Sequence, residues 1–348
     1  MSVNDNKKPE ILQDIDIRSG KERPWRPKKM RNLILANSFG RQGQEKKSER
    51  VRYCGYRLDF QRDPESLRLT LKKAWFCRER LCPMCQWRRS LRVFKEVSRV
   101  MGVAMMRYGD ELAPLFLTLT VRNCFGGDLF SVLEGMFEGW KNYFDHRRMR
   151  KIFKGWFRAL EVTYDKDKVI GQRRYNKHKD VYDRQGIKPG DENPNYDTYH
   201  PHFHVVLLVE KGYFAGKDYM QTTEWVKRWR TAAGLDYDPV CHICKVKNRP
   251  GKARDIADVA KYTLKDADFL TKDKDLTDKH VSILGDALRS RRLYAFGGLL
   301  KEIAKELKAD KPDEGDLVDP EDTIREDVAT VLVSYQWNIG FGNYVKIE

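Results

Sequence analysis

The stretch HFHVVLLVE, residues 202–210, constrains the fold more than any other. It is aliphatic and β-branched, and apolar on both faces after its first residues, which predicts a core strand. Residues 115–121 (LFLTLTV) and 157–164 (FRALEVTY) read as two further strands, and 240–246 as a fourth. Helical spacing is expected over 86–107, through Leu91, Phe94, Val97 and Val100. It recurs over 130–153, through Leu133, Phe137, Trp140 and Phe144, and over 222–233, 255–270 and 299–307. Residues 331–347 return to strand-like aromatic alternation. The expected class is α+β, a central, largely antiparallel sheet with flanking helices.

The strand carries chemistry at its start. Residues two apart in a strand face the same way, so His202 and His204 stand side by side. Neutral imidazole is the commonest metal ligand, but two imidazoles alone bind weakly. Glu161 lies among apolar neighbours in FRALEVTY, where an unpaired carboxylate is costly. Pairing that strand with 202–209 would bring Glu161 beside the histidines. Such a set suits Mn²⁺ or Mg²⁺ acting on phosphate, with Zn²⁺ left open. The bland alternative pairs Glu161 with an arginine and leaves the histidines as ordinary edge residues.

In the expected 255–270 helix, Asp258, Tyr262 and Lys265 fall at i, i+4 and i+7 on one face. A tyrosine there can attack a phosphodiester if its electrophile is polarised. Lys265 would hold the phosphate or neutralise the phenolate, and Asp258 would serve as general base. Read alone, the segment is better taken as an amphipathic helix with a polar stripe, and only its combination with the metal strand reverses that reading.

Charge favours a phosphate partner. Lys and Arg number 67 against 51 Asp and Glu, a net +16, which drives association with nucleic acid through counterion release. No apolar run is long enough to span a bilayer, and the N-terminus carries no secretory signal, so a cytoplasmic protein without a membrane partner is expected. The seven cysteines then read as reduced thiols or metal ligands. Cys54, Cys77, Cys82 and Cys85 suit a tetrahedral structural Zn²⁺. Cys241 and Cys244 compete less well, because residues three apart in a strand face opposite ways. Arg78, Arg80, Arg88, Arg89 and Arg92 around the cysteines would face DNA. Trp75, Trp87, Tyr108, Trp225 and Trp229 are candidates for base stacking.

The expected organisation is a flexible basic tail over 1–50, a Cys-rich zinc module with a basic helix over 51–110 and a catalytic core over 111–275. A C-terminal helix and strand extension over 276–348 would pack on that core and contact DNA. The polar connection 165–199 is long enough to be functional, as an added DNA-contacting loop.

These motifs together resemble the His-hydrophobe-His (HUH) endonucleases, and within them the single-tyrosine replication initiators of small rolling-circle plasmids. The matching pieces are FLTLTVRN at 116–123, RALEVTY at 158–164, HPHFHVVLLV at 200–209 and VAKYTLKD at 259–266. FCRERLCPMCQWRRS at 76–90 also matches, and RRLYAFGGLLKE at 291–302 more weakly. The resemblance implies a metal-dependent nick at the double-strand origin, a 5′-phosphotyrosine intermediate and a free 3′ hydroxyl that primes synthesis. It makes His202 and His204 metal ligands, Glu161 the carboxylate ligand, Tyr262 the nucleophile and Lys265 the active-site lysine. Asp258 stands where some relatives carry a Glu that activates water at termination. The implied partners are origin DNA, as a single strand or hairpin at the nick site, and the host helicase and replication machinery. The chain holds no GxxxxGK[ST] phosphate loop of its own. Self-association stays open, as do a transposase or relaxase, a hydrolytic metallonuclease and a non-catalytic zinc-containing origin binder.

Overall fold

The computed structural model describes residues 9–16, 19–246, 265–309, 311, 314–318 and 331–347. The fold is α+β, and the chain divides into two compact units, both discontinuous in sequence. The first comprises residues 1–95, 272–281 and 312–348; the second comprises 96–271 and 282–311.

In the first unit α1 (Trp25–Arg41) and α2 (Glu45–Tyr53) are followed by the hairpin β1 (Arg57–Arg62) and β2 (Leu69–Ala74). The C-terminal strands β8 (Val331–Asn338) and β9 (Asn343–Lys346) complete a four-stranded sheet of order β2-β1-β8-β9. Phe60 lies opposite Val333 and Leu58 opposite Tyr335. Trp25 of α1 packs edge-on to Phe60 and to Trp87, with ring centroids 5.8 and 4.6 Å away.

Two expectations are corrected here. The basic stretch read as a tail is helical from Trp25, and its Trp25, Lys29, Asn32, Ala36 and Phe39 form a buried stripe at helical spacing. The C-terminal strands belong to this unit, because β8 supplies the partner that β1 needs.

In the second unit five antiparallel strands lie in the order β6-β3-β5-β4-β7. They are β3 (Leu112–Thr120), β4 (Phe153–Asp165), β5 (Thr198–Glu210), β6 (Cys241–Lys245) and β7 (Tyr294–Gly298). Central β5 is apolar on both faces because both are covered, and Val205 to Val209 have no exposed surface. On one face Phe203 meets Phe137 and Trp140 of α4 (Leu129–Asp145) and Trp229 of α8 (Thr222–Ala232), at 5.3, 5.6 and 6.3 Å. The expected 130–153 helix ends at Asp145, and a short α5 (Arg147–Ile152) leads into β4.

The long connection between β4 and β5 is ordered by its own polar contacts. It holds α6 (Gln172–Lys177) and α7 (Lys179–Gln185). Arg174 grips the Asp165 carboxylate with two hydrogen bonds of 2.7 and 2.6 Å, and Asn193 donates to the same group at 2.9 Å. The basic helix α3 (Pro83–Tyr108) runs from the first unit into the second. The remaining helices are α9 (Asp266–Phe269), α10 (Lys274–Ala287) and α11 (Leu299–Glu306).

Candidate functional site

Strand register assembles the first cluster. Glu161 on β4 lies directly opposite His202 on β5, and the small Ala159 lies opposite His204. With only a methyl group beside His204, the Glu161 side chain can lean across to both rings. Its Oε2 lies 3.2 Å from His202 Nε2 and 2.9 Å from His204 Nε2, and the two Nε2 atoms are 3.0 Å apart. The far nitrogens are occupied. His202 Nδ1 lies 3.3 Å from the His200 carbonyl, which can only accept, so a neutral His202 carries its proton there. His204 Nδ1 lies 3.3 Å from Thr118 Oγ1 on β3. The carbonyl contact leaves a neutral His202 with its Nε2 lone pair aimed at the centre, and the Thr118 hydroxyl can accept from His204 Nδ1 to give the same arrangement there.

Three acceptor atoms converging on one point repel unless a proton or a metal cation lies among them. Two cis ligands of an octahedral ion with bonds of about 2.1 Å stand about 3.0 Å apart, and tetrahedral ligands about 3.4 Å. The observed 2.9–3.2 Å edges fit the donors of one divalent ion with positions left open. Burial raises the Glu161 carboxyl, but where no cation is bound and the His202 and His204 Nε2 atoms carry protons, their hydrogen bonds and charge outweigh it and hold the group far below the ordinary carboxylate range. His200, half-buried and beside His202, is pushed down to about 4 by desolvation and so stays neutral. Lys265, just before α9, places its ammonium 3.6 Å from Glu161 Oε1 and is more than half exposed. Asp258 and Tyr262 lie outside the described residues.

The second cluster joins Cys54 after α2, Cys77 after β2, and Cys82 and Cys85 at the start of α3. All four are buried free thiols. Sulfur–sulfur distances of 3.5 Å (Cys54–Cys85), 3.6 Å (Cys54–Cys82) and 3.7 Å (Cys77–Cys85) approach the roughly 3.8 Å edge of a tetrahedron with 2.3 Å metal–sulfur bonds. Arg78 adopts φ 59°, a left-handed turn that points its N–H at Cys85 Sγ, 3.3 Å away. The Cys77 and Cys85 N–H groups point at Cys54 and Cys82 sulfurs, both at 3.5 Å. Lys29 of α1 has no exposed surface and donates to the carbonyls of Arg52 and Cys54 at 2.7 and 2.8 Å. Burial lowers its ammonium to about 8, against the opposing pull of the Cys54, Cys82 and Cys77 sulfurs. Sequence periodicity gave no hint of Lys29, since a lysine on a basic helix reads as solvated.

The arginines do not form one open surface. Arg78 is exposed and Arg80, Arg89 and Arg92 are half-buried. Arg88 is buried: its guanidinium lies over Trp25 and Trp87 and donates to the carbonyls of Leu317 and Val318. Trp87, Trp225 and Trp229 are likewise core residues, whereas Trp75 is half exposed. Cys241 is buried and Cys244 exposed, as the alternation of a strand requires.

A family model described as "Replication protein" matches residues 68–345. The chain is 36% identical to "Protein rep" of Bacillus amyloliquefaciens, over 96% of this chain and 97% of that protein. It is 36% identical to a "Protein rep" of Bacillus sp, over 82% of this chain and 88% of that one. A "Protein rep" of Streptococcus pneumoniae serotype 2 (strain D39 / NCTC 7466) is 32% identical over 96% of this chain and 95% of that protein. No solved structure matches the chain.

Proposed function

The chain belongs to the Rep family of plasmid replication initiators, and on that premise we propose that it starts rolling-circle replication by nicking origin DNA. Tyr262 is the nucleophile, and a divalent ion held by Glu161, His202 and His204 is the cofactor. The observation that carries this reading is the convergence of three donor atoms within 3.2 Å across paired strands. On this reading the chain is an HUH endonuclease.

Mn²⁺ or Mg²⁺ at this position supplies Lewis acidity to the non-bridging phosphate oxygens. The protein supplies the rest. The sheet fixes both imidazoles through their Nδ1 partners, so the site is preorganised before DNA arrives. The Tyr262 Oη attacks phosphorus, the P–O3′ bond breaks, and the strand leaves with a 3′ hydroxyl. One phosphodiester replaces another, so rejoining needs no nucleotide. Lys265, whose ammonium lies 3.6 Å from Glu161 Oε1, would offset charge on the phosphate or phenolate. Asp258 takes the proton of the water or hydroxyl that ends the cycle. The four cysteines would hold a structural Zn²⁺, which would stabilise the junction of α2, β2 and α3. With no phosphate loop in the chain, unwinding falls to a host helicase.

The test is a denaturing gel of a labelled single-stranded origin oligonucleotide with Mn²⁺ or Mg²⁺. Glu161→Gln and His204→Ala should each lower nicking by roughly 10²–10³-fold while DNA binding persists. Full nicking in excess chelator, or by both variants, would refute the metal-centred reading.

A further inference from the structure

Among the described residues, the metal-site face of the five-stranded sheet is buried on one side and exposed on the other. Toward β7, the residues that share the face of Glu161 are Ala159 and Phe157, and opposite them Tyr294 and Phe296. All four are at most 5% exposed. Toward β6 the register continues the face differently. His204 lies opposite Thr118, and Thr118 lies opposite His242. His242 and Cys244 are exposed on that face of edge strand β6, and Val240, whose carbonyl receives the Thr120 hydroxyl, is 70% exposed. Just past β3, the exposed Arg122 stacks its guanidinium 3.8 Å from the ring centroid of Tyr237. No carboxylate pairs with Arg122 among the described residues.

We propose that the single-stranded DNA flanking the scissile phosphate crosses the open β3–β6 side of the sheet, over Arg122, Val240, His242 and Cys244. The proposal rests on the nicking function above. Two strand spacings separate β5 from β6, about 10 Å, the rise of about three stacked nucleotides. Along that lane Arg122 offers a fixed cation to a phosphate, His242 and Thr118 offer hydrogen bonds, and Val240 offers an apolar seat to a base or sugar. A strand leaving toward β7 would meet covered side chains instead. The occupant is nucleic acid because the lane is continuous with the metal cluster and the chain carries a net +16.

Cys244 makes the lane observable, because it is the one exposed cysteine of the seven. The full-length Tyr262→Phe protein, which binds without cutting, would be labelled with neutral N-ethylmaleimide, with and without a saturating single-stranded nick-site oligonucleotide. A Cys244→Ser control identifies the fast-reacting thiol. Bound DNA should slow labelling of Cys244 by at least about fivefold, since thiol reaction requires access. Arg122→Ala and His242→Ala should each weaken oligonucleotide binding by about tenfold in fluorescence anisotropy. Unchanged Cys244 labelling on DNA-saturated protein, or unchanged binding by both variants, overturns the lane and leaves the nicking function intact. Failure of the unmodified protein to bind the oligonucleotide overturns both.

Discussion

At the scale of single residues, Glu161 decides what the histidines can do. Two imidazoles on a strand are a weak chelate, and the carboxylate opposite them supplies charge as well as a third donor. Glu161→Gln keeps the shape and removes the charge. It should weaken Mn²⁺ binding by roughly 10- to 100-fold, read by calorimetry, while the melting temperature moves little. Lys29 plays the corresponding part at the cysteine cluster. Four thiolates around a divalent ion carry a net charge of −2, and a buried ammonium beside them offsets part of it. Lys29→Met should therefore speed zinc loss to a colorimetric chelator by about tenfold or more. If the lysine were only a buried cation, its replacement by an isosteric apolar chain would leave zinc retention unchanged or improve stability.

At the scale of elements, the strands were legible where their pattern was local. HFHVVLLVE and FRALEVTY announced β5 and β4, and the placement of Glu161 beside the histidines follows from pairing them. Helices α1 and α2 were not legible, because their buried stripe includes Lys29, Asn32, Ser38 and Ser48, polar side chains that break an apolar periodicity. The sheet of the first unit was hidden for another reason. Strand β1, RLDFQR, has its partner β8 some 270 residues along the chain, and no local pattern encodes such a pairing. The 165–199 connection read as a polar loop because its short helices are held by charge rather than by apolar contacts. Asp165 is their anchor. Asp165→Ala should raise hydrogen–deuterium exchange over residues 172–185 by about tenfold, with β4 and β5 still protected. Unchanged exchange there would mean that the insertion is held by other contacts.

At the scale of the molecule, each of the two compact units carries its own donor cluster. The four cysteines join separate segments of the first unit, so a metal bound there would contribute its binding free energy to folding. A strong chelator should lower a thermal transition assigned to that unit, and added Zn²⁺ should restore it. The second unit should respond mainly to Mn²⁺ or Mg²⁺ at Glu161, His202 and His204. Family membership and donor geometry both support the proposed nicking chemistry, in which Tyr262 is the proposed nucleophile. The most direct measurement is mass spectrometry of the trapped protein–DNA adduct, formed with Mn²⁺ and an origin oligonucleotide and then digested. A 5′-phosphonucleotide on the peptide containing Tyr262, with no adduct in Tyr262→Phe, is the expected result. An adduct on a different tyrosine, or cleaved DNA with no adduct at all, would contradict it.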